Sequence, residues 1–324
     1  MKASSPAIEK IKQFVQNQTL IIILLLLGVV ITIVEPRFLM PQNLINVLIQ
    51  IAINALIATG MTFVIISGGI DLSVGSIAAV SGIVATGLIV QMQDISIFQG
   101  VLLSVGISLV VGIVFGGFSG FAISKLKVAP FIATLAMMSI ARGFAFIYTQ
   151  SKPIYGLPDS FSWIGQDYIG FVPVIVLIMI IVLVSAHIIL DRTVFGRHVY
   201  AVGSKEEVAK LSGIDVKKTK LIVYIISGVL SAFAGVCLAS RLVTGQPNAA
   251  VGYELNAIAA VFLGGNSTDG GKGGIGKTIT GLLAIGIINN GLSLMRVSSY
   301  WQSITMGAII LIAIIIDQSR KEEA

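Results

Sequence analysis

Long apolar runs, separated by short polar connections, occupy almost the whole chain. Most of them approach the length of about 20 residues that an α-helix needs to cross a hydrocarbon core of about 30 Å. The pattern predicts ten membrane spans, at about residues 20–34, 44–67, 74–91, 96–123, 128–149, 170–190, 220–240, 253–266, 278–295 and 299–316. We therefore expect an all-α fold, a polytopic integral membrane protein with a single transmembrane domain over residues 1–324.

Composition and the placement of charge agree with this expectation. The chain is 56% hydrophobic and 11% charged, whereas soluble domains carry about 25% charged residues. With the N-terminus in the cytoplasm, most basic residues fall inside, and those that fall outside are Arg37, Lys152, Arg241 and Arg296. Because basic loops stay inside, both termini are expected to be cytoplasmic. The net charge of +6 reflects this placement and does not indicate nucleic-acid binding.

The densest block of charge lies in residues 191–220. Within it, Ser204 stands where a helix N-cap is expected, good helix formers follow, and Gly213 is placed to end the helix. We expect a short helix on the cytoplasmic membrane surface, where a soluble partner could bind. The alternative is a solvated loop without a partner.

Two glycine-rich stretches, residues 68–76 and 264–274, separate apolar runs with almost no room for a loop. Glycine pairs break helices, and backbone released at membrane depth must be buried in protein or face a water-filled cavity. Asp71 and Ser73 are therefore expected to be polar groups at a flexible joint that lines a path or gate. Alternatively, Asp71 is only the N-cap of the following helix.

Arg142 is a charged residue within an apolar run. Such a side chain costs at least about 2.5 to 3.5 kcal/mol at the bilayer centre, so it faces the bundle interior or reaches toward the interface. The first arrangement predicts that Arg142 lines or locks the path. The second predicts no role in transport.

The chain offers little for catalysis or metal binding. It contains one cysteine, Cys237, and two histidines, with no Ser/His/Asp set or paired carboxylates. Residues 271–278 satisfy the nucleotide-binding pattern G-x-x-x-x-G-K-[ST], but the 46 residues after Thr278 are too few for a nucleotide-binding domain. We interpret this stretch as a cytoplasmic turn between spans, and expect neither an enzyme nor a metal site.

The positions of the acidic residues indicate what would drive transport. Carriers driven by ion gradients usually keep acidic groups within their spans, whereas Asp71 and Glu254 stand at span edges. This favours an energy source outside the chain. A secondary transporter of a small polar solute, driven by an ion gradient, is the alternative.

Several long stretches resemble the permease subunits of bacterial ABC importers for monosaccharides, of the ribose permease type. The resemblance covers nearly the whole chain. It is carried by GMTFVIISGGIDLSVGSIAAVSG (60–82), APFIATLAMMSIARG (129–143), GRHVYAVGSKEEVAKLSGI (196–214), GYELNAIAAVFLGG (252–265) and NNGLSLMRVSSYWQ (289–302).

The resemblance implies partners and a location. It implies a homodimer in the bacterial inner membrane, separate cytoplasmic ATPase subunits that use ATP and Mg²⁺, and an extracytoplasmic sugar-binding protein. It implies no cofactor bound by this chain itself. Residues 191–220 are similar to the coupling loop of ABC permeases, so contact with the ATPase is expected at Glu206, Glu207, Ala209 and Gly213.

A sugar path needs neutral hydrogen-bonding groups, because hydroxyls require donors and acceptors rather than a counter-charge. Ribose or a related monosaccharide would therefore meet amides and an occasional arginine. Besides Asp71, Ser73 and Arg142, the candidates are Asn54, Glu254, Asn256, Asn289, Asn290 and Gln302. The amides could instead join helices, at about 0.6 kcal/mol per contact.

Overall fold

A computed structural model describes residues 19–92 and 94–322, so the extreme termini lie outside the described residues. The helices are α1 (Thr19–Val34), a short 3-10 helix (Pro36–Leu39), α2 (Pro41–Ile66), α3 (Val74–Ile89), α4 (Ile97–Ser124), α5 (Pro130–Thr149), α6 (Asp159–Gln166), α7 (Val174–Arg192), α8 (Val194–Ser204), α9 (Glu206–Leu211), α10 (Val216–Leu242), α11 (Tyr253–Leu263), α12 (Ile275–Leu294) and α13 (Ser299–Glu322).

The predicted all-α architecture is confirmed. In the described part of the chain, six helices are long and apolar enough to cross a membrane: α2, α4, α5, α7, α10 and α12. Shorter apolar helices occupy the other predicted runs, at Leu25–Val34, Val74–Ile89, Tyr253–Leu263 and Ser299–Ile312.

Two details between α5 and α7 differ from the prediction. Helix α6 has no counterpart among the predicted runs, because its residues DSFSWIGQ mix polar and apolar types. The run predicted from residue 170 begins as a helix only at Val174. The residues before it form a two-stranded antiparallel hairpin, β1 (Tyr168–Ile169) paired with β2 (Val172–Pro173).

Glycines bring α4 and α10 into direct backbone contact. Gly112, Gly116 and Gly120 recur every fourth residue on one face of α4. A Cβ on Gly112 would stand 2.3 Å from the Cα of Val229, and one on Gly116 would stand 2.5 Å from the carbonyl oxygen of Tyr224. Small residues at this spacing let helices in a bilayer pack closely, which makes α10 a central support.

The core lies around α2, α3 and α10. Most of α2 is buried, and a Cβ on its Gly60 would stand 2.8 Å from the Cα of Ser227 on α10. Gly235 of α10 is packed against α3 in the same way, because a Cβ there would stand 1.9 Å from the carbonyl oxygen of Ala78. These contacts fix α2 and α3 on one side of α10.

Helix α11 is half the length of a full span. Its 11 residues rise about 16 Å, against a hydrocarbon core of about 30 Å. Residues 243–252 lead into it without helical structure. In this segment Thr244, Gly245, Pro247 and Ala250 are buried, whereas Asn248 and Val251 are exposed.

Candidate functional site

Asp71 lies in the break between α2 and α3 and is hydrogen-bonded to α10. Its side chain is fully buried. Oδ1 accepts hydrogen bonds from the backbone N–H and the hydroxyl of Ser73, at 3.0 and 2.5 Å, and Oδ2 accepts one from the hydroxyl of Ser227 at 2.8 Å. The interpretation of Asp71 as an N-cap is wrong, because α3 begins at Val74 and Ser73 holds the N-cap position. Asp71 instead fixes the shape of the joint.

The two glycine-rich stretches meet each other and the end of α8. The N–H of Gly271 donates to the carbonyl oxygen of Ile66 at 2.8 Å. A Cβ on Gly203 would stand 1.8 Å from that oxygen and 2.7 Å from the Gly271 nitrogen, and one on Gly270 would stand 2.9 Å from the nitrogen of Gly68. We call this backbone contact the glycine junction.

Buried polar side chains hold the second glycine-rich stretch in place. The amide of Asn266 donates to the hydroxyl of Thr278 at 3.1 Å and accepts from the N–H of Gly274 at 2.7 Å. The hydroxyls of Thr278 and Thr62 lie 2.8 Å apart, which ties the stretch to α2. The loop is therefore anchored at both ends and along its length.

Residues 271–278 do not form a nucleotide-binding loop. The element before them is a helix, α11, whereas that motif follows a strand. Lys277 Nζ donates to the carbonyl oxygen of Gly265 at 3.0 Å, and Thr278 is buried in the network around Asn266. The interpretation of this stretch as a turn between helices is confirmed.

Tyr200 adds a further contact between α8 and the same stretch. Its hydroxyl lies 3.0 Å from the carbonyl oxygen of Gly273 and 3.2 Å from Oδ1 of Asp191. Burial, together with the negative charge of Asp191, raises the pKa of Tyr200 to about 12. The hydroxyl therefore remains protonated and can donate to either oxygen.

Helix α9 presents a mixed acidic and apolar face to solvent. Glu207, Val208 and Leu211 are exposed, the last of them by 88%. We call these three residues the α9 surface. Ala209 points the other way: it is 3% exposed and belongs to a small core with Val202 and Val216. Ala209 therefore holds α9 in position and does not belong to the exposed surface.

The ends of α9 differ in part from the prediction. Ser204 is the last residue of α8, and Lys205 holds the N-cap position of α9, so the N-cap prediction for Ser204 is wrong. Gly213 ends the helix as predicted, with φ of +81°, a conformation that favours glycine. Glu206 accepts a hydrogen bond from Lys220 Nζ at 2.5 Å, which ties α9 to α10.

Three of the predicted path residues line one small cavity. Asn54 of α2, Asn256 of α11 and Asn289 of α12 come together there. We call it the amide pocket; its lining residues are Gln50, Ile51, Asn54, Asn256, Leu282, Ile285, Gly286 and Asn289. Its volume of about 40 Å³ holds one or two waters, which is less than a monosaccharide needs.

Asn54 offers an unused acceptor in this pocket. Among the described residues, its Oδ1 is buried and has no hydrogen-bond partner. A buried acceptor without a partner is costly, so a hydroxyl that reached it would be bound favourably. The lining residues carry amides and hydrocarbon but no charge. The pocket suits a neutral solute rich in hydroxyl groups.

Two other predicted amides join helices instead. Asn43 and Asn290 donate to each other's side-chain oxygens, at 2.9 and 3.0 Å respectively, and link α2 to α12. Gln302 donates to the hydroxyl of Ser293 and to the carbonyl oxygen of Val297, and so fixes the turn between α12 and α13. Neither Asn290 nor Gln302 lines the amide pocket.

The charged candidates near α11 also lie outside the pocket lining. One guanidinium nitrogen of Arg142, on α5, donates to the carbonyl oxygens of Pro247 and Ala249, at 2.7 and 2.9 Å. Arg142 therefore points into the protein rather than toward the interface. Glu254 accepts from the N–H of Gly252 and closes the first turn of its own helix.

Sequence reasoning missed several residues of these sites. Gln50 lines the amide pocket, Ser227 bonds Asp71, and Gly203 forms part of the glycine junction. Each contacts a group far away in the chain, so local patterns carry no signal for the pairing. Within the described ranges, no three His, Cys, Asp or Glu side chains are grouped to hold a metal ion.

Comparison with known families defines the class of protein. Residues 43–314 match the family model of the branched-chain amino acid transport system / permease component. The match covers most of the chain, which therefore belongs to this family of membrane permeases. The protein is a multi-pass transport protein rather than an enzyme.

Individual relatives are similar over nearly their whole length. The chain is 45% identical over 307 residues to the ribose import permease protein of Bacillus subtilis (strain 168), with 92% of this chain and 91% of the relative covered. It is 42% identical over 314 residues to that of Escherichia coli (strain K12), with 96% of both covered. The L-arabinose transport system permease protein of Escherichia coli (strain K12) is 34% identical over 303 residues, with 94% of this chain and 90% of the relative covered. No solved structure matches the chain.

Proposed function

We propose that the chain is the transmembrane subunit of an ABC importer that moves ribose or a related monosaccharide across the bacterial inner membrane. The amide pocket is the observation that carries this proposal. It offers a free acceptor on Asn54, further amides on Asn256 and Asn289, and no charged lining. A zwitterionic amino acid would find no counter-charge there. The relatives that import ribose and L-arabinose support the same substrate class.

The position of the amide pocket along the bundle axis fits a substrate path. Asn54 lies 12 residues before the end of α2 and Asn289 lies 14 residues after the start of α12. At a rise of about 1.5 Å per residue, both lie about 20 Å from the end of the bundle that carries the glycine junction. The pocket is therefore within the membrane, where transporters hold their substrates.

The topology that we propose has ten spans with both termini in the cytoplasm. The six long helices supply six spans, and the shorter apolar helices supply the other four, α11 together with the irregular segment that leads into it. This arrangement places the glycine junction and the α9 surface on the cytoplasmic side. The functional unit that we propose is a homodimer, as the resemblance to ABC permeases implies.

Energy would come from separate ATPase subunits, which bind ATP and Mg²⁺. The α9 surface is the docking site that we propose for them, because Glu207, Val208 and Leu211 are exposed on one short helix. The glycine junction would transmit movement of α8 and α9 to both glycine-rich stretches, and so alternate access to the path. An extracytoplasmic sugar-binding protein would deliver substrate at the other side.

Sugar uptake into proteoliposomes tests the proposal. Labelled ribose is supplied with the chain alone, and with its copurified ATPase and binding protein, in the presence and absence of ionophores. We expect uptake only with ATP and both partners, unchanged by ionophores. Uptake by the chain alone that ceases when ion gradients collapse would identify a secondary transporter instead.

Replacing Asn54 is expected to weaken transport without weakening the fold. Asn54→Ala removes the free acceptor and, at about 0.5 to 1.5 kcal/mol per hydrogen bond, should lower the apparent affinity for the sugar about 2- to 12-fold. Asn290→Ala is the matched control: it breaks the pair with Asn43, so it should lower stability and leave the affinity unchanged. Concentration-dependent uptake and thermal unfolding in detergent measure the two effects. The opposite pattern would place the substrate elsewhere.

Reversing the charge of Glu207 is expected to detach the ATPase. Glu207→Arg changes an exposed side chain of the α9 surface, so the permease should still insert and fold. Copurification of the ATPase should fall at least tenfold. Lys152→Glu, a charge reversal at a residue predicted to be outside, should have no effect. Retention of the ATPase by Glu207→Arg would show that it docks on another surface.

A further inference from the structure

We propose that residues 244–252, which lead into α11, are a movable wall of the sugar path, and that Arg142 holds this wall closed. The proposal rests on the proposed function, because it concerns access to the amide pocket. We call residues 244–252 the wall segment.

The wall segment runs along α3 into the interior of the bundle. A Cβ on Gly245 would stand 2.0 Å from the hydroxyl oxygen of Thr86, and one on Gly75 would stand 2.4 Å from the carbonyl oxygen of Ala250. Thr86 and Gly75 are 11 residues apart on α3, which is about 16 Å. The segment therefore descends about half the thickness of the membrane beside α3.

At the start of the wall segment, Gly245 and Ile154 of the loop after α5 exchange backbone hydrogen bonds at 3.0 and 2.8 Å; beyond this bridge the backbone is irregular. A turn links the N–H of Ala249 to the carbonyl oxygen of Gln246, and Ala250 has a positive φ of +55°. Irregular backbone at membrane depth must find partners within the protein. Arg142 supplies them for the carbonyl oxygens of Pro247 and Ala249. One side chain on α5 thus holds the middle of the segment.

The wall segment is linked directly to the amide pocket. It ends at Gly252, the N-cap of α11, and the N–H of Asn256 donates to the carbonyl oxygen of that glycine at 3.1 Å. Asn256 thus lies one turn into α11, where it lines the pocket. Any shift of the segment along α3 moves Asn256 relative to Asn54 and Asn289. The pocket of about 40 Å³ must enlarge to admit a sugar; no residue of the wall segment lines it, so the movement would reach it through Asn256.

The wall segment has features that are typical of an element able to occupy two positions. Each of its close contacts with α3 has a glycine on one side: Gly245 lies against the Thr86 side chain, and Gly75 lies against the carbonyl oxygen of Ala250. Ala250 is held in a left-handed conformation that L-residues rarely adopt, and such strained positions are concentrated at switch regions. Beyond the bridge between Gly245 and Ile154, the two hydrogen bonds from Arg142 can be released in one step. By contrast, α2 and α10 are packed on one another along their length.

Accessibility of an engineered cysteine tests the movement. Ala249→Cys is introduced in a Cys237→Ala background, which is otherwise free of cysteine, and the assembled transporter is labelled with a membrane-impermeant maleimide. We expect the labelling rate to differ at least tenfold between the nucleotide-free complex and the complex trapped with ATP and vanadate. Gln91→Cys, two residues after the end of α3, is the control and should label equally in both states.

Arg142→Ala should remove the difference between the states. Without the two hydrogen bonds, Ala249→Cys should label at the faster rate in both states, and sugar uptake should fall at least tenfold while ATPase binding is retained. Arg142→Lys, which keeps a cationic donor, should restore part of the difference. A residue that only stabilised the fold would leave the state dependence of labelling unchanged.

A reversible cross-link supplies an independent test. Cβ atoms at 245 and 86 would lie 3.0 Å apart, within 1 Å of the disulfide value of about 3.8 Å. Thr86→Cys with Gly245→Cys should transport when reduced and lose at least 90% of uptake when oxidised. Equal labelling in both states, in a complex that imports sugar, would overturn the movable wall. A wild-type complex without ATP-dependent sugar uptake would instead overturn the proposed function.

Discussion

Gly203→Val should abolish coupled transport although residue 203 touches neither sugar nor nucleotide. A side chain at this position would enter the hydrogen bond between the N–H of Gly271 and the carbonyl oxygen of Ile66, because its Cβ would stand 1.8 Å from that oxygen. The two glycine-rich stretches would then separate from α8. We expect sugar uptake to fall at least 100-fold, while the ATPase still copurifies through the intact α9 surface.

The matched control is a glycine nearby that faces open space. A Cβ on Gly276, in the first turn of α12, would have no neighbour within 4 Å, so Gly276→Val should transport normally. Uptake and ATP hydrolysis measured on the same proteoliposomes separate uncoupling from loss of the complex. Normal uptake by Gly203→Val would mean that movement reaches the path by another route.

The second large effect is expected at Asp71 and concerns stability. Asp71→Ala leaves three buried donors without their acceptor, the backbone N–H and hydroxyl of Ser73 and the hydroxyl of Ser227. At about 1 to 3 kcal/mol for each unsatisfied group, the free energy of unfolding should fall by at least about 3 kcal/mol. Unfolding in detergent, followed by fluorescence as denaturant is added, measures this change.

The variant Asp71→Asn tests whether the hydrogen-bond geometry or the negative charge of Asp71 stabilises the joint. Its carbonyl oxygen can accept from Ser73 as Oδ1 does, and its amide can donate to the oxygen of Ser227, which then acts as the acceptor. The variant should therefore retain most of the stability that Asp71→Ala loses. If both variants unfold alike, the carboxylate charge itself holds the joint.

The sequence predicts the helices well because their signal is local. Apolar runs fall within a few residues of the observed helices, and the glycine pairs at 68 and 264 mark the true breaks. The exceptions have physical causes. Pro173 and the hairpin before it delay the start of α7, and α6 is too short and mixed in composition to show a period.

The sites were harder to predict because they depend on how each helix is rotated. Asn289 and Asn290 are adjacent in sequence, but successive helical residues point about 100° apart. Asn289 lines the amide pocket, whereas Asn290 pairs with Asn43. Only the packing of α12 on α2 determines that Asn289 faces the pocket and that Asn290 faces Asn43. Arg142 was expected either to lock the path or to reach outward, and its bonds to the wall segment were beyond any local pattern.

The small core of Val202, Ala209 and Val216 lies between the α9 surface, where we propose that the ATPase docks, and the helices that line the amide pocket. This core is distinct from the two larger hydrophobic clusters of the bundle, and it is joined to them through the glycine junction and through α10, which carries Val216. Exposed side chains on α9 can therefore change without repacking the helices that line the amide pocket. Choice of ATPase and choice of solute are then free to diverge independently among permeases of this kind.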